Sequence, residues 1–435
     1  MTAERLEDHP QRYALSNELH ARPFPELRAP CHAVVLAIKQ SGQAENRDPE
    51  ADRAHLHDLL NRHGADHPPP DGNHFSGRLG RNLLKWERHT EFVTYTIYAD
   101  GVAGVPFTGS IATTFPRDWL NQAPGKVLTS VLVRVELAES VPDLDEANYD
   151  RMRDWFVPES LAMSSVVDQQ AIAASDFRID TAGHVRFALL ARADIGPRRL
   201  GRIVQRLVEI ETYKSMAMLA LPAAREVAAR VAELDREMTS LVRTMVTSGG
   251  GESETLDRLL SMSAEIEALS SSSAFRFGAA EAYAAIVHER ISALREERVK
   301  GRQTLAEFML RRFDPAMRTC SSAKNRLDEL SQRATRAATL LRTRVEVNIA
   351  AQNRSLLKSM DRRAALQLRL QQMVEGLSVV AISYYAVSLT GYILAPISRH
   401  LNADEAQLQA MVAIPIIGVV WWMIRRLRQR VTERR

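Results

Sequence analysis

The spacing of apolar residues changes near residue 222. Before it, short β-branched runs alternate with turn signals. Residues 31–38, 91–98, 128–137, 164–172 and 185–191 are each bounded by Gly, Pro or Asp and predict strands. Residues 52–63 and 200–219 repeat their apolar positions at three and four and predict helices. Mixed elements in this order predict an α+β or α/β domain over residues 1–221. The stretch 64–82, dense in Pro, Gly and Asn, reads as a loop.

After Pro222 strand signals vanish and Ala, Glu, Arg, Leu and Met dominate. Residues 223–246 predict one helix, and the TSGGG stretch 247–251 breaks it. Helix is expected again from Glu252 to about Arg312, with an irregularity at 270–278. Asp314 and Pro315 match an N-cap and a first helical position. Residues 316–375 then hold neither Pro nor Gly, enough for a helix of about 90 Å. The expectation is a long helical stalk over 222–375. Leu327, Ser331, Ala334, Ala338, Leu341, Val345, Asn348 and Gln352 form a coiled-coil-like seam on it. That seam suits packing against the two preceding helices, or a parallel bundle of stalks from several copies.

Two uncharged runs end the chain. Residues 376–398 are long enough to cross a bilayer as a helix. Residues 406–424 are fewer and contain Pro415, but they include the Trp421–Trp422 pair suited to a membrane interface. Arg362, Arg363 and Arg369 precede the first run, and Arg425, Arg426, Arg428 and Arg430 follow the second. By the positive-inside rule both termini are cytoplasmic. The loop 399–405 then faces outward and residues 425–435 form a basic cytoplasmic tail. A multi-pass protein of the bacterial inner membrane, with the lipid bilayer as its first partner, is therefore expected.

Overall composition hides this segment. Hydrophobic content is 45%, charged content 25% and net charge +4, values of an ordinary globular chain. No basic motif interleaved with aromatics supports a nucleic-acid partner. Cys31 and Cys320 lie far apart, which argues against a disulfide scaffold or a zinc site. The polar N-terminus has no apolar core of a cleavable signal.

Candidate chemistry is sparse. Nine histidines precede residue 90, and they suit either a metal site or a merely polar loop, so the metal is left unknown. Gly77-Arg78-Leu79-Gly80-Arg81 lacks the spacing of a phosphate-binding loop. No nucleophile elbow or HExxH motif is present, so neither an enzyme nor a cofactor is expected. The first uncharged run is rich in hydroxyls. Tyr384, Ser388 and Tyr392 recur at four-residue spacing on one helical face, beside Thr390 and Gly391. These are the candidate pore lining, with Asp404 and Glu405 at the outer mouth. Bonding between packed helices is the alternative use of the same hydroxyls.

Three stretches carry a resemblance. YALSNELHARPFP (13–25), KWERHTEFVTY (85–95) and LVEIETYKSMAM (207–218), with the C-terminal runs, resemble the bacterial membrane-anchored family called domain of unknown function 3422. The likeness covers essentially the whole chain and implies no activity. Glu18, His20 and Arg22 in the first stretch suit either a ligand site or a tied-down terminus. The layout is also similar to CorA-type magnesium channels: cytoplasmic α/β domain, long stalk, two C-terminal transmembrane helices. That family's Gly-Met-Asn signature is absent, and Leu389-Thr390-Gly391-Tyr392 supplies only the glycine. The resemblance implies a homo-oligomeric, CorA-like cation channel or transporter. The alternative is a membrane-anchored scaffold or sensor whose cytoplasmic domain binds a protein or small ligand.

Overall fold

Strand β1 (Cys31–Lys39, CHAVVLAIK) is apolar on both faces and buried nearly throughout, as a strand covered on both sides must be. It sits in the middle of a mixed sheet. The computed structural model describes residues 7–13, 15–16, 24–40, 42, 47–70, 72–108, 114–138, 150–247, 252–299, 301–401 and 405–432. Among these, β2 (His74–Leu79), β3 (Asn82–Arg88), β4 (Val93–Asp100), β5 (Lys126–Leu137), β6 (Ala162–Val166), β7 (Ala171–Ser175), β8 (Val185–Ala191) and the two-residue β9 (Glu297–Arg298) complete the sheet. The order is β2-β3-β4-β1-β5-β8-β7-β6-β9. Neighbours run antiparallel except β5 and β8, which are parallel.

Two helix layers cover this sheet. On one face lies α3 (Pro197–Met218), whose Leu200, Ile203, Val204 and Leu207 pack on Val35, Val133 and Leu189. Behind it α4 (Ala220–Thr247) and α5 (Glu252–Leu294) form a hairpin. On the other face α1 (Pro49–Arg62) and α2 (Arg117–Asn121) bury Leu56, Leu59, Leu60 and Trp119 against β1, β3 and β4. Met152 and Phe156 close the same face over β6, β7 and β8.

The chain then returns to the sheet edge. β9 pairs with β6 through Ser164 and Ser165. The Ser164 hydroxyl donates to the Glu296 carboxylate and accepts from the Leu305 N–H, and Glu296 also accepts from the Ala306 N–H. Helix α6 (Leu305–Arg312) begins with a capping box formed by Thr304 and Glu307. Helix α7 (Asp314–Leu401) follows, and then α8 (Glu405–Thr432). The chain divides into two compact units, Met1–Ala338 and Thr339–Arg435.

Several local expectations are corrected. The Pro- and Gly-rich loop contains a strand: β2 pairs with β3 around Gly80, whose φ of 61° closes a tight hairpin. The run 164–172 is not one strand but parts of two. Val167, Asp168 and Gln169 all take left-handed conformations, so the turn carries no Gly or Pro signal. Helix α5 runs without interruption through 270–278, where the Ser273 hydroxyl donates to the Leu269 carbonyl. The break comes later, at Arg295, with φ of 47°. Leu327, Ala334 and Leu341 of the seam are buried within Met1–Ala338 or just beyond it, and Arg333 pairs with Asp235 of α4.

The expected layout is also corrected. In the expected α+β or α/β domain, the sheet is mixed and mainly antiparallel. Among the described residues two C-terminal transmembrane helices are not found. Among the described residues one helical stretch, Leu305–Ile393, is long and apolar enough to cross a membrane. The second run holds Gln407 and Gln409, and Pro415 inside α8 removes a backbone donor. The CorA-like layout therefore does not fit this chain.

Gly201 of α3 fixes how the N-terminal segment enters the fold. A Cβ there would lie 1.7 Å from the Pro25 carbonyl oxygen. Gly201→Ala is expected to destabilise by about 1–3 kcal/mol through overpacking. Chemical denaturation reads this, and an unchanged midpoint would show that residues 24–28 do not press on α3.

Candidate ligand-binding site

Lys85 and Glu87 share one face of β3, and Thr94, Thr96 and Tyr98 share the same face of β4, because strand side chains alternate. Register sets Lys85 opposite Thr96, Glu87 opposite Thr94 and Leu83 opposite Tyr98. The alternate residues Leu84, Trp86, Tyr95 and Ile97 point into the core under α1. A sheet face this polar ordinarily meets water. Here α3 covers it, presenting Gln205, Val208, Glu209, Thr212 and Tyr213 at helical spacing. Between strands and helix lies a cavity of about 210 Å³, closed by Phe24, His89 and Arg290 of α5.

Part of its lining is fully paired. Glu209 accepts from the Gln205 amide nitrogen at 2.6 Å and from the Arg290 guanidinium, and Arg290 also donates to Glu289. Burial, with the carboxylates of Glu87 and Glu209 nearby, raises the Tyr98 pKa and keeps its hydroxyl protonated.

Three groups are different. Lys85 is 5% exposed, Gln205 8% and Thr212 3%, yet the Lys85 ammonium, the Gln205 carbonyl and the Thr212 hydroxyl have no hydrogen-bond partner. Lys85 Nζ does lie 3.2 Å from a Glu87 carboxylate oxygen, an ion-pair distance at an angle too oblique for a hydrogen bond. The Gln205 orientation is fixed, since only its NH₂ can face the Glu209 carboxylate. A buried polar group left unpaired costs about 1–3 kcal/mol. Three such groups around one cavity are what a polar ligand would satisfy.

One shoulder of the cavity is anchored by charge. Glu91, 1% exposed, accepts from both terminal nitrogens of Arg276 on α5, and Lys39 Nζ lies 3.8 Å away. Burial lowers the Lys39 pKa, against the pull of Glu91. Tyr213 stacks on Tyr283 at 5.6 Å and meets His89 edge-on at 6.0 Å.

The sequence-predicted residues lie elsewhere. Tyr384, Ser388, Thr390, Gly391 and Tyr392 are all on α7. Tyr384 is 72% and Tyr392 79% exposed, and the Thr390 hydroxyl donates to the Ala386 carbonyl at 2.7 Å. Glu405 is the first residue of α8. Asp404, Glu18, His20 and Arg22 fall outside the described residues. Among the described residues no three of His, Cys, Asp and Glu gather as metal ligands. His55 is instead held between the Tyr95 hydroxyl and the Trp119 carbonyl, each at 3.0 Å. Lys85, Gln205 and Thr212 were not singled out from the sequence, although Lys85 and Thr212 lie inside two of the three stretches that carry the resemblance. Phe24, from the third, lines the same cavity.

The profile of the family of proteins of unknown function DUF3422 matches residues 7–431, and the chain belongs to that family. No curated protein and no solved structure matches it.

Thr212→Val keeps the shape of the side chain and removes an unpartnered hydroxyl. The unliganded protein should melt at the same temperature or higher. A loss of stability above about 1 kcal/mol would mean that the hydroxyl is already bonded within the fold.

Proposed function

We propose that this protein is a membrane-tethered sensor whose unit Met1–Ala338 captures a small polar ligand in the β3–β4/α3 cavity. The observation that carries this reading is the convergence on one cavity of the Gln205 carbonyl and the Thr212 hydroxyl, both without a hydrogen-bond partner, beside a Lys85 ammonium held only by its ion pair with Glu87. Folded chains pair such groups unless a ligand or bound water completes them. Binding is favoured over catalysis by the state of the obvious nucleophiles. Burial, with Asp100 beside it, pushes the Cys31 thiol up to about 12, and burial also raises Cys320, so neither is a ready thiolate.

The tether in this reading is the apolar end of α7, placing the protein at the bacterial inner membrane. Leu377, Val380, Leu389 and Ile393 are 70%, 69%, 65% and 62% exposed. A continuous apolar surface of this kind favours lipid over water. Arg362, Arg363 and Arg369 precede it and suit the cytoplasmic headgroup region.

Two measurements test the proposal. The full chain should sediment with membranes, resist alkaline carbonate and be released by detergent; recovery in the soluble fraction removes the tether. In detergent, a broad panel of small polar metabolites should contain at least one that raises the melting temperature saturably. A ligand at 100 times its Kd adds about 2.7 kcal/mol. Lys85→Met should fold and lose that response. No stabilisation by any charged or neutral compound would remove the binding reading.

A further inference from the structure

We infer that the ligand is a net-neutral polyhydroxylated molecule of about monosaccharide size, an inference that rests on the binding reading above. The first argument is charge balance. The lining carries Lys85 and Arg290 against Glu87 and Glu209, and each cation already has a carboxylate beside it: Lys85 with Glu87, Arg290 with Glu209. The cavity lacks hydrogen-bond partners, not counter-ions. A carboxylate or phosphate would face Glu87 and Glu209, and a cation would face Lys85 and Arg290, each without a net field of opposite sign to offset its desolvation.

The second argument is the sense of the unfilled bonds. Lys85 Nζ needs an acceptor, Gln205 Oε1 needs a donor, and the Thr212 hydroxyl takes either. A carboxylate only accepts, so it leaves Gln205 unsatisfied, and a phosphate that donates its remaining hydroxyl still brings net negative charge to Glu87 and Glu209. An alcohol donates and accepts at one oxygen without charge, and a molecule with several hydroxyls meets all three groups. The Thr94 and Thr96 hydroxyls line the same floor, and Tyr213 offers an aromatic wall for C–H faces. Size is the third argument: about 210 Å³ accommodates a small ring or a linear polyol.

The test uses the full chain in detergent and isothermal titration with three panels: neutral monosaccharides and polyols, zwitterionic α-amino acids, and inorganic phosphate with dicarboxylates. The expected result is saturable binding of at least one neutral polyol. Its affinity should fall at least tenfold in Thr212→Val, whose melting temperature stays at or above that of the parent, and in Gln205→Leu, which also gives up the Gln205–Glu209 bond. Binding should be insensitive to salt between low and physiological strength, as suits an uncharged ligand. Saturable binding confined to amino acids or to anions, and lost in the same variants, overturns the polyol class and leaves the binding site standing. If no panel binds, the cavity holds only water, and the site and the ligand class both fall.

Discussion

Glu91 is enclosed between Arg276 and Lys39 with almost no contact to water, and much of the architecture follows from that enclosure. A carboxylate so placed is tolerable only while its cations stay, since breaking a buried pair costs about 3–5 kcal/mol. Arg276 belongs to α5, so the ion pair sets where that helix crosses the end of β3 and β4. Fourteen residues further along α5, about 21 Å, Arg290 reaches Glu209 of α3. One helix is thus pinned at two points to the wall and shoulder of the same cavity. The polar face of β3 and β4 is roofed by α3, which Leu200, Ile203, Val204 and Leu207 hold on the neighbouring apolar strands, while these charges fix α5 beside it.

That arrangement explains what the sequence showed and what it hid. Residues 31–38 and 185–191 are continuous apolar runs bounded by turn residues, and they become β1 and β8 with nearly the same ends. Helix α3 was legible from its three-and-four spacing. The β6–β7 hairpin was not, because its turn uses Val167, Asp168 and Gln169 in left-handed conformations, with no Gly or Pro to mark it. β2 was hidden for the opposite reason: its neighbourhood is so rich in Pro and Gly that a short edge strand looked like loop. The cavity was hidden most of all. Lys85, Gln205 and Thr212 look like ordinary solvated positions one at a time, and only their burial gives them meaning.

The C-terminal region shows how one physical criterion can stand in for another. Both terminal runs are free of charge, but a membrane helix is chosen by the net transfer of its side chains and backbone. Gln407, Gln409 and Pro415 each work against that transfer while leaving the charge count at zero. In the 376–393 part of α7 the exposed side chains are mostly aliphatic, and this is where the apolar criterion is met.

The clasp at the sheet edge has a mechanical consequence. Before α7 begins, the chain is fastened to β6 by two β9 residue pairs, by the Ser164–Glu296 bond and by the Leu305 N–H donating to the Ser164 hydroxyl. Tension applied along α7 would enter the sheet there, through bonds loaded in parallel. β6 and β9 lie at one edge and β3 and β4 near the other, with β1, β5, β8 and β7 between β4 and β6. Strain entering at that edge is therefore spread across the ladder before it reaches Lys85.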